Sequence, residues 1–112
     1  MTATGNDTGE QIRTIAAFRR AMTPGTQYRV TNYRHPNVSG PRTVLQSGPG
    51  RWTFSFEKAD GSTGTNGRAD WPRALQADFA RREDGGTDVH MLDPDGETVA
   101  YTIHLPGPTA AP

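Results

Sequence analysis

Residues 29–44, RVTNYRHPNVSGPRTV, bring together side chains that could bind an anion. The stretch contains Arg29, Tyr33, Arg34, His35 and Arg42, and it contains no acidic residue. Arginine can clamp a phosphate with two hydrogen bonds, and tyrosine or histidine can stack on an unpaired base. These residue types favour contact with nucleic acid. The alternative is a hairpin loop in which Tyr33 packs against the domain and the arginines are only solvated.

Charge is sorted along the chain in a way that favours a basic binding region. Residues 11–73 carry ten basic and three acidic side chains, a net charge of +7, whereas residues 74–112 carry two basic and seven acidic ones, a net charge of −5. Because basic regions also steer protein partners, the alternative partner is an acidic protein surface. The full set of candidate binding residues is Arg19, Arg20, Arg29, Tyr33, Arg34, His35, Arg42 and Arg51.

Signals for catalysis and metal binding are weak. The chain has no cysteine, which excludes disulfides and thiolate chemistry, and no serine stands in a strained nucleophile elbow. The histidines are His35, His90 and His104, and the last two are predicted to lie about 13 Å apart on one face of a hairpin, too far to share an ion. We therefore expect a protein that is not an enzyme and that binds no cofactor and no metal.

The segment before the basic stretch predicts an amphipathic helix over residues 10–22. Thr8 and Gln11 have the spacing of a capping box, and the sequence TPG at residues 23–25 ends the pattern. The helical spacing of apolar side chains is seen at Ile12, Ile15, Phe18 and Met22. Arg19 and Arg20 fall outside this stripe, so the helix either packs with solvated arginines or contributes them to a binding face.

Alternating patterns predict strands within residues 26–105. TQYRVTN and RWTFSFE each alternate apolar and polar side chains, and PRTVLQS lies between them, bounded by the turn sequences SGP and GPG. Three such strands in succession favour an antiparallel meander. Residues 73–82 are left open, because RALQADFARRED suits a short helix after Pro72 while FARREDGGTDVHML suits a hairpin that turns at DGG.

The last hairpin has a predicted register. A three-residue loop of Pro94, Asp95 and Gly96, with Gly96 in the left-handed conformation, would follow from the sequence DPDG. The predicted pairs are then Asp93 with Glu97, Met91 with Val99, and Val89 with Tyr101. This register collects the apolar side chains on one face, namely Val89, Met91, Val99, Tyr101, Ile103 and Leu105.

One domain suits the 112 residues. We expect a globular part over residues 10–105 and disordered tails over residues 1–9 and 106–112, which carry almost no apolar bulk. The predicted fold is mainly β (α+β), with five or six antiparallel strands in a partly open SH3-like barrel and the N-terminal helix against it. A flat two-layer sheet with helices on one side is the alternative. Most of the core is expected from Tyr28, Val30, Trp52, Phe54, Phe56, Val99, Tyr101 and Ile103.

Three sequence features together suggest a relationship. PGTQYRVTNYRHPNVSGPRTV, the later WP and the final DGETVAYTI resemble small SH3-like β-domain proteins encoded by actinobacteria and by their phages and plasmids. The resemblance covers about residues 24–105 and rests on the order of turns and strands. It implies a compact SH3-like barrel and an accessory role in a mobile element, and it transfers no functional residue.

Three functions are compatible with the sequence. The first is a non-catalytic module that contacts nucleic acid through the arginine-rich first half. The second is a protein-binding adaptor or inhibitor whose basic face meets an acidic partner, and the third is self-assembly in which the basic and acidic halves pair head to tail. No apolar run reaches the length of a spanning helix and no signal-peptide pattern is present, so a cytoplasmic location and no membrane contact are expected.

Overall fold

The computed structural model describes residues 12–107, which form one α-helix and one antiparallel sheet. The sheet has seven strands in the order β4-β3-β2-β1-β7-β6-β5, so the prediction of a mainly β fold is confirmed and the count of five or six strands is wrong. The elements are α1 (Ile15–Ala21), β1 (Gln27–Asn32), β2 (Gly40–Ser47), β3 (Arg51–Glu57), β4 (Thr63–Asp70), β5 (Ala77–Arg81), β6 (Thr87–Leu92) and β7 (Val99–Leu105), with short 3₁₀ turns at Pro36–Val38 and Ala74–Gln76.

The helix begins later than the sequence predicts. Thr14 is its N-cap, because the Thr14 hydroxyl accepts a hydrogen bond from the backbone N–H of Ala17 at 3.1 Å. The predicted capping box of Thr8 and Gln11 lies outside the described residues. With 7 residues, α1 is the only α-helix in this part of the chain, and nothing here is long and apolar enough to cross a membrane.

Phe18 of α1 fixes the helix against the sheet. Its ring is fully buried and makes edge-to-face contacts with Trp52, Trp71 and Phe79 at centroid distances of 5.7, 5.6 and 6.4 Å. Because Trp52 belongs to β3 and Phe79 to the edge strand β5, strands from both halves of the sheet reach the same ring. The sheet therefore curves around the helix, and we call the side facing α1 the inner face.

Close approach between aromatic rings and glycines shapes the β3–β4 pair. Phe54 pairs with Gly67 and Phe56 with Gly64. A Cβ atom at Gly67 would lie 2.3 Å from the Phe54 ring, and one at Gly64 would lie 2.5 Å from the Phe56 ring. Only glycine leaves room for these rings on the inner face.

Residues 77–81 form a strand, which settles the alternative that the sequence leaves open. The strand β5 pairs with β6 from Ala77–Met91 to Arg81–Thr87. Leu75 is 85% exposed while Phe79 packs on Phe18. A helix would have placed these two side chains on one face, whereas the turn at Ala74–Gln76 separates them.

The register of the last hairpin differs from the prediction by two residues. Met91 pairs with Tyr101 rather than with Val99, and Leu92 pairs with Val99 across a bulge. The loop is longer because the Asp95 carboxylate accepts hydrogen bonds from the Thr98 hydroxyl and two backbone N–H groups. A shift of two preserves the side-chain faces. The left-handed conformation of Gly96 is confirmed, with a φ of +74°.

The core matches the predicted set in part. Tyr28, Val30, Trp52, Phe54 and Ile103 are buried as predicted, whereas Phe56, Val99 and Tyr101 are half-buried. The core also contains Phe18 and Met22 from the predicted apolar stripe of the helix, and Val89, Met91 and Leu105 from the predicted apolar face of the last hairpin. Val44 is a further core member that no sequence pattern singles out. Of the predicted disordered tails, only Pro106 and Gly107 fall within the described residues.

Candidate functional site

Arg19, Arg20 and Arg51 lie near the end of the sheet where α1 packs. Arg19 donates a hydrogen bond to the carbonyl of Pro49 at 3.1 Å and stacks 5.2 Å from the centre of the Trp71 ring. Arg51 starts β3 and forms an exposed ion pair with Asp70 at 3.6 Å. Arg20 is exposed on the last turn of the helix. Arg19 and Arg51 flank the β2–β3 turn, and Arg20 follows Arg19 on the helix.

Arg29 and Arg42 lie on opposite faces of the sheet. Arg42 pairs with Tyr28, whose side chain is buried on the inner face, and Arg29 follows Tyr28 by one residue, so its side chain is on the outer face. Arg51 is far from both. It stands five residues along β3 from Phe56, the partner of Arg42, which is roughly 17 Å at the usual strand rise.

Tyr33, Arg34 and His35 occupy the loop after β1. The Asn32 side-chain oxygen accepts hydrogen bonds from the backbone N–H groups of Arg34 at 3.1 Å and His35 at 2.8 Å, which holds the loop in place. The Arg34 guanidinium forms an ion pair with Asp93 of the β6–β7 loop. The charge of Arg34 is therefore neutralised by a carboxylate of the acidic second half of the chain. The Tyr33 ring is 53% exposed and its hydroxyl lies 3.0 Å from the Thr102 hydroxyl.

The eight predicted binding residues are thus spread over three places: the β2–β3 turn, the outer face of β1, and the region of the β1–β2 loop with the start of β2. A single patch that contains all of them is not formed. Arg29 and Arg42 both line a groove of about 600 Å³ formed by parts of β1, β2 and β3. Arg42 also lines a second cavity, which adjoins the last of these places.

That cavity is a groove of about 540 Å³ beyond the core, which we call the inner groove. It is lined by residues 37–42, Phe54, residues 56–59 and residues 66–68. Its charged side chains are Arg42, Lys58 and Arg68 against one carboxylate, Glu57. Neither the Lys58 ammonium nor the Arg68 guanidinium hydrogen bonds to another residue of the described chain, so both can meet a ligand.

Arg42 is held in the inner groove by two contacts. Its guanidinium lies 4.3 Å from the centre of the Phe54 ring and donates a hydrogen bond to the carbonyl of Val38 at 3.2 Å. Burial raises the pKa of the neighbouring Tyr28 hydroxyl, while the hydrogen bond from Trp52 and the charge of Arg42 act in the opposite direction. Tyr28 is therefore neutral near pH 7, and the Arg42 charge is left for a ligand.

Sequence reasoning missed the second wall of the inner groove. Lys58, Asn66 and Arg68 belong to the β3–β4 hairpin, whose glycine-rich tip gives no known phosphate-binding spacing. In the fold, Phe54 pairs with Gly67 and Phe56 pairs with Gly64, and Phe56 also pairs with Arg42. These pairings bring the β3–β4 hairpin beside Arg42, and the two glycines opposite aromatic residues are the sequence feature that could have indicated them. Asn37 and Asn66 add uncharged amides to the same cavity.

A second polar cluster crosses the outer face. The Thr31 hydroxyl lies 2.8 Å from Nε2 of His104, and Nδ1 of His104 lies 2.8 Å from the Asp88 carboxylate. Arg82 donates a hydrogen bond to the same carboxylate oxygen at 2.6 Å. Burial tends to raise the pKa of Asp88, but the hydrogen bonds and charges of His104 and Arg82 lower it below its ordinary value.

The histidines are placed differently from the prediction in one respect. His90 pairs with Thr102 rather than with Ala100, as a consequence of the shifted register. His104 therefore lies two residues beyond the partner of His90 rather than four, so the predicted separation of about 13 Å is wrong and becomes roughly 7 Å at the usual strand rise. The two rings bind different partners. Across residues 12–107 no three potential metal-binding side chains come together.

No protein-family model matches the chain, and no curated protein or solved structure shows significant similarity to it.

Proposed function

We propose that the protein binds single-stranded nucleic acid in the inner groove, a binding function for which the groove needs no catalytic group. The observation that carries the proposal is the lining of this groove, which includes Arg42, Lys58, Arg68 and the half-buried Phe56 together with one carboxylate, Glu57. Basic grooves with an aromatic stacking platform bind unpaired strands without need of a catalytic group.

Each part of the groove has a physical role in this proposal. Lys58 and Arg68 neutralise phosphates, and the flat guanidinium of Arg42 and the ring of Phe56 offer surfaces on which a base can stack. Stacking of one base on such a platform contributes about 1–3 kcal/mol. A base that is paired in a duplex cannot enter a concave cavity, which is why we expect a preference for single strands.

The remaining predicted residues have graded roles. Tyr33, Arg34 and His35 stand in the loop that borders the inner groove and would contact a strand that leaves it. Arg19, Arg20, Arg29 and Arg51 lie away from the groove and would act only through long-range attraction. The SH3-like barrel, the cytoplasmic location and the accessory role in a mobile element belong to this proposal.

The test measures fluorescence anisotropy of labelled single-stranded and duplex oligonucleotides over a range of salt concentrations. Arg68→Ser is compared with Arg81→Ser, because both side chains are exposed and stand on the two edge strands of the sheet. We expect Arg68→Ser to weaken binding by about tenfold and to reduce the salt slope by about 0.7, the value for one phosphate contact in a single strand. Arg81→Ser should bind like the wild type.

Removal of a negative charge from the groove should change oligonucleotide affinity in the opposite direction. Glu57→Gln should tighten binding at low salt, because it neutralises the one carboxylate among the described residues that line the inner groove. Absence of binding to single-stranded DNA and RNA at low salt would overturn the proposal, and so would equal losses in Arg68→Ser and Arg81→Ser.

A further inference from the structure

The outer face carries a hydroxyl, an imidazole and a carboxylate in hydrogen-bonded order. Thr31 on β1, His104 on β7 and Asp88 on β6 stand on three neighbouring strands. The distances are 2.8 Å from the Thr31 hydroxyl to His104 Nε2 and 2.8 Å from His104 Nδ1 to Asp88. A nucleophile beside a base that a third group orients is the signature of nucleophilic catalysis, whatever the fold.

The carboxylate of Asp88 determines where the protons lie in the hydrogen-bonded series Thr31–His104–Asp88. Asp88 is ionised because its pKa lies below the ordinary value, so it accepts the proton of His104 Nδ1. In the tautomer that donates Nδ1–H to Asp88, the lone pair of His104 is on Nε2, and the Thr31 hydroxyl donates a hydrogen bond to that atom. The hydroxyl of Thr31 is thereby aligned for loss of a proton to His104.

Arg82 fixes the carboxylate end of the chain. It donates hydrogen bonds to Asp88 at 2.6 Å and to the carbonyl of Leu105 at 2.8 Å. The side chains of Asp88 and His104 are 21% and 30% exposed, so the chain is shielded from water without being closed to it. Arg82 is a positioning residue, since it acts on His104 only through Asp88.

A groove of about 600 Å³ reaches His104, and its lining includes Arg29 of the outer face as well as Tyr28, Arg42 and Phe56 of the inner face. Arg29 pairs with His104 in the sheet and precedes Thr31 by two residues on the same face. The Arg29 guanidinium forms no hydrogen bond or ion pair with another side chain of residues 12–107. It is the group that could stabilise negative charge on a carbonyl oxygen attacked by Thr31.

We propose that Thr31 is a nucleophile toward small activated esters, with His104 as its general base and Asp88 orienting His104. Thr31 Oγ1 attacks the carbonyl carbon while its proton moves to His104 Nε2. The bond to the leaving alkoxide or phenolate breaks, and the proton on His104 passes to the leaving group or to solvent. A water molecule then attacks the acyl carbon and gives a proton to His104. The bond between the acyl carbon and Thr31 Oγ1 breaks, His104 returns the proton to Oγ1, and the carboxylic acid leaves.

The outer face also carries a second hydroxyl–imidazole pair, which serves as a control for ester cleavage. His90 Nδ1 lies 2.9 Å from the Thr102 hydroxyl on the same face, but no carboxylate hydrogen bonds to His90 within the described residues. This second hydroxyl–imidazole pair lacks the orienting group. His90→Gln should therefore leave ester cleavage unchanged.

The experiment uses p-nitrophenyl acetate with the full chain, following p-nitrophenolate release and locating the acetyl group by peptide mass spectrometry. We expect acetyl on Thr31, and a loss of about 100-fold in Thr31→Val and His104→Gln, the lower end of what a positioned base supplies. Thr31→Ser keeps the hydroxyl and should retain acetylation, which separates chemistry from folding. Acetyl on any other residue alone, or wild-type rates in Thr31→Val, would overturn the proposal.

Discussion

The guanidinium of Arg42 lies 4.3 Å above the centre of the Phe54 ring, and this contact places a fixed cation in the inner groove. A planar guanidinium can stack on a ring, while a lysine ammonium is a compact point charge that cannot do so in the same way. The shape of Arg42 therefore matters as much as its charge.

Arg42→Lys tests this point, because it keeps the charge and removes the plane. We expect binding of a single-stranded oligonucleotide to weaken several-fold, and the melting temperature to fall by a few degrees, because a stacked cation contributes about 0.5–2 kcal/mol. Anisotropy and thermal unfolding measure the two effects. Arg81→Lys on the opposite edge strand is the matched control, and equal behaviour of the two variants would contradict the role given to stacking.

The packing of α1 against the sheet predicts that the free energy of unfolding falls strongly when Phe18 is truncated and hardly changes when Leu75 is truncated. Phe18→Ala should reduce the free energy of unfolding by about 3–5 kcal/mol, because the ring is fully buried between Trp52, Trp71 and Phe79. Leu75→Ala removes a side chain that is 85% exposed and should change the free energy of unfolding by less than about 0.5 kcal/mol. Urea unfolding followed by tryptophan fluorescence measures both. A small effect of Phe18→Ala would show that the sheet does not depend on the helix.

The β6–β7 loop predicts a pH-dependent difference between two variants. Hydrogen bonds from the Thr98 hydroxyl, the Thr98 N–H and the Glu97 N–H lower the pKa of Asp95 from 3.8 to about 2. A lowered pKa in the folded state contributes stability above pH 3.8, and this contribution is lost as the pH falls through about 2. Asp95→Asn should therefore melt below the wild type near neutral pH, and the gap should narrow toward pH 2. Glu97→Gln in the same loop should show no such narrowing.

Much of the sheet could be predicted because alternation specifies strand faces. Trp52, Phe54 and Tyr28 are buried as their positions in alternating runs indicate. The last hairpin kept its apolar face despite a wrong register, since an error of two residues leaves the faces unchanged. The hydrogen bonds of Asp95 that lengthen its loop are side-chain contacts, which alternation does not report.

The candidate sites were harder to predict because they depend on contacts between distant segments. Arg29 and Arg42 stand on opposite faces through the register of β1 and β2, which the loop between them determines. The hydrogen bond between Thr31 and His104 requires the pairing of β1 with β7, two strands separated by most of the sequence. Local periodicity contains no information on such a pairing.

Chemical-shift mapping gives the most direct test of binding in the inner groove. A short single-stranded oligonucleotide is titrated into isotope-labelled protein at low salt, and the backbone amide signals are followed. If the oligonucleotide binds in the inner groove, the largest shifts fall on residues 37–42, 56–59 and 66–68, which line the groove. Shifts confined to β5 and β6, or unchanged spectra at saturating oligonucleotide, would contradict it.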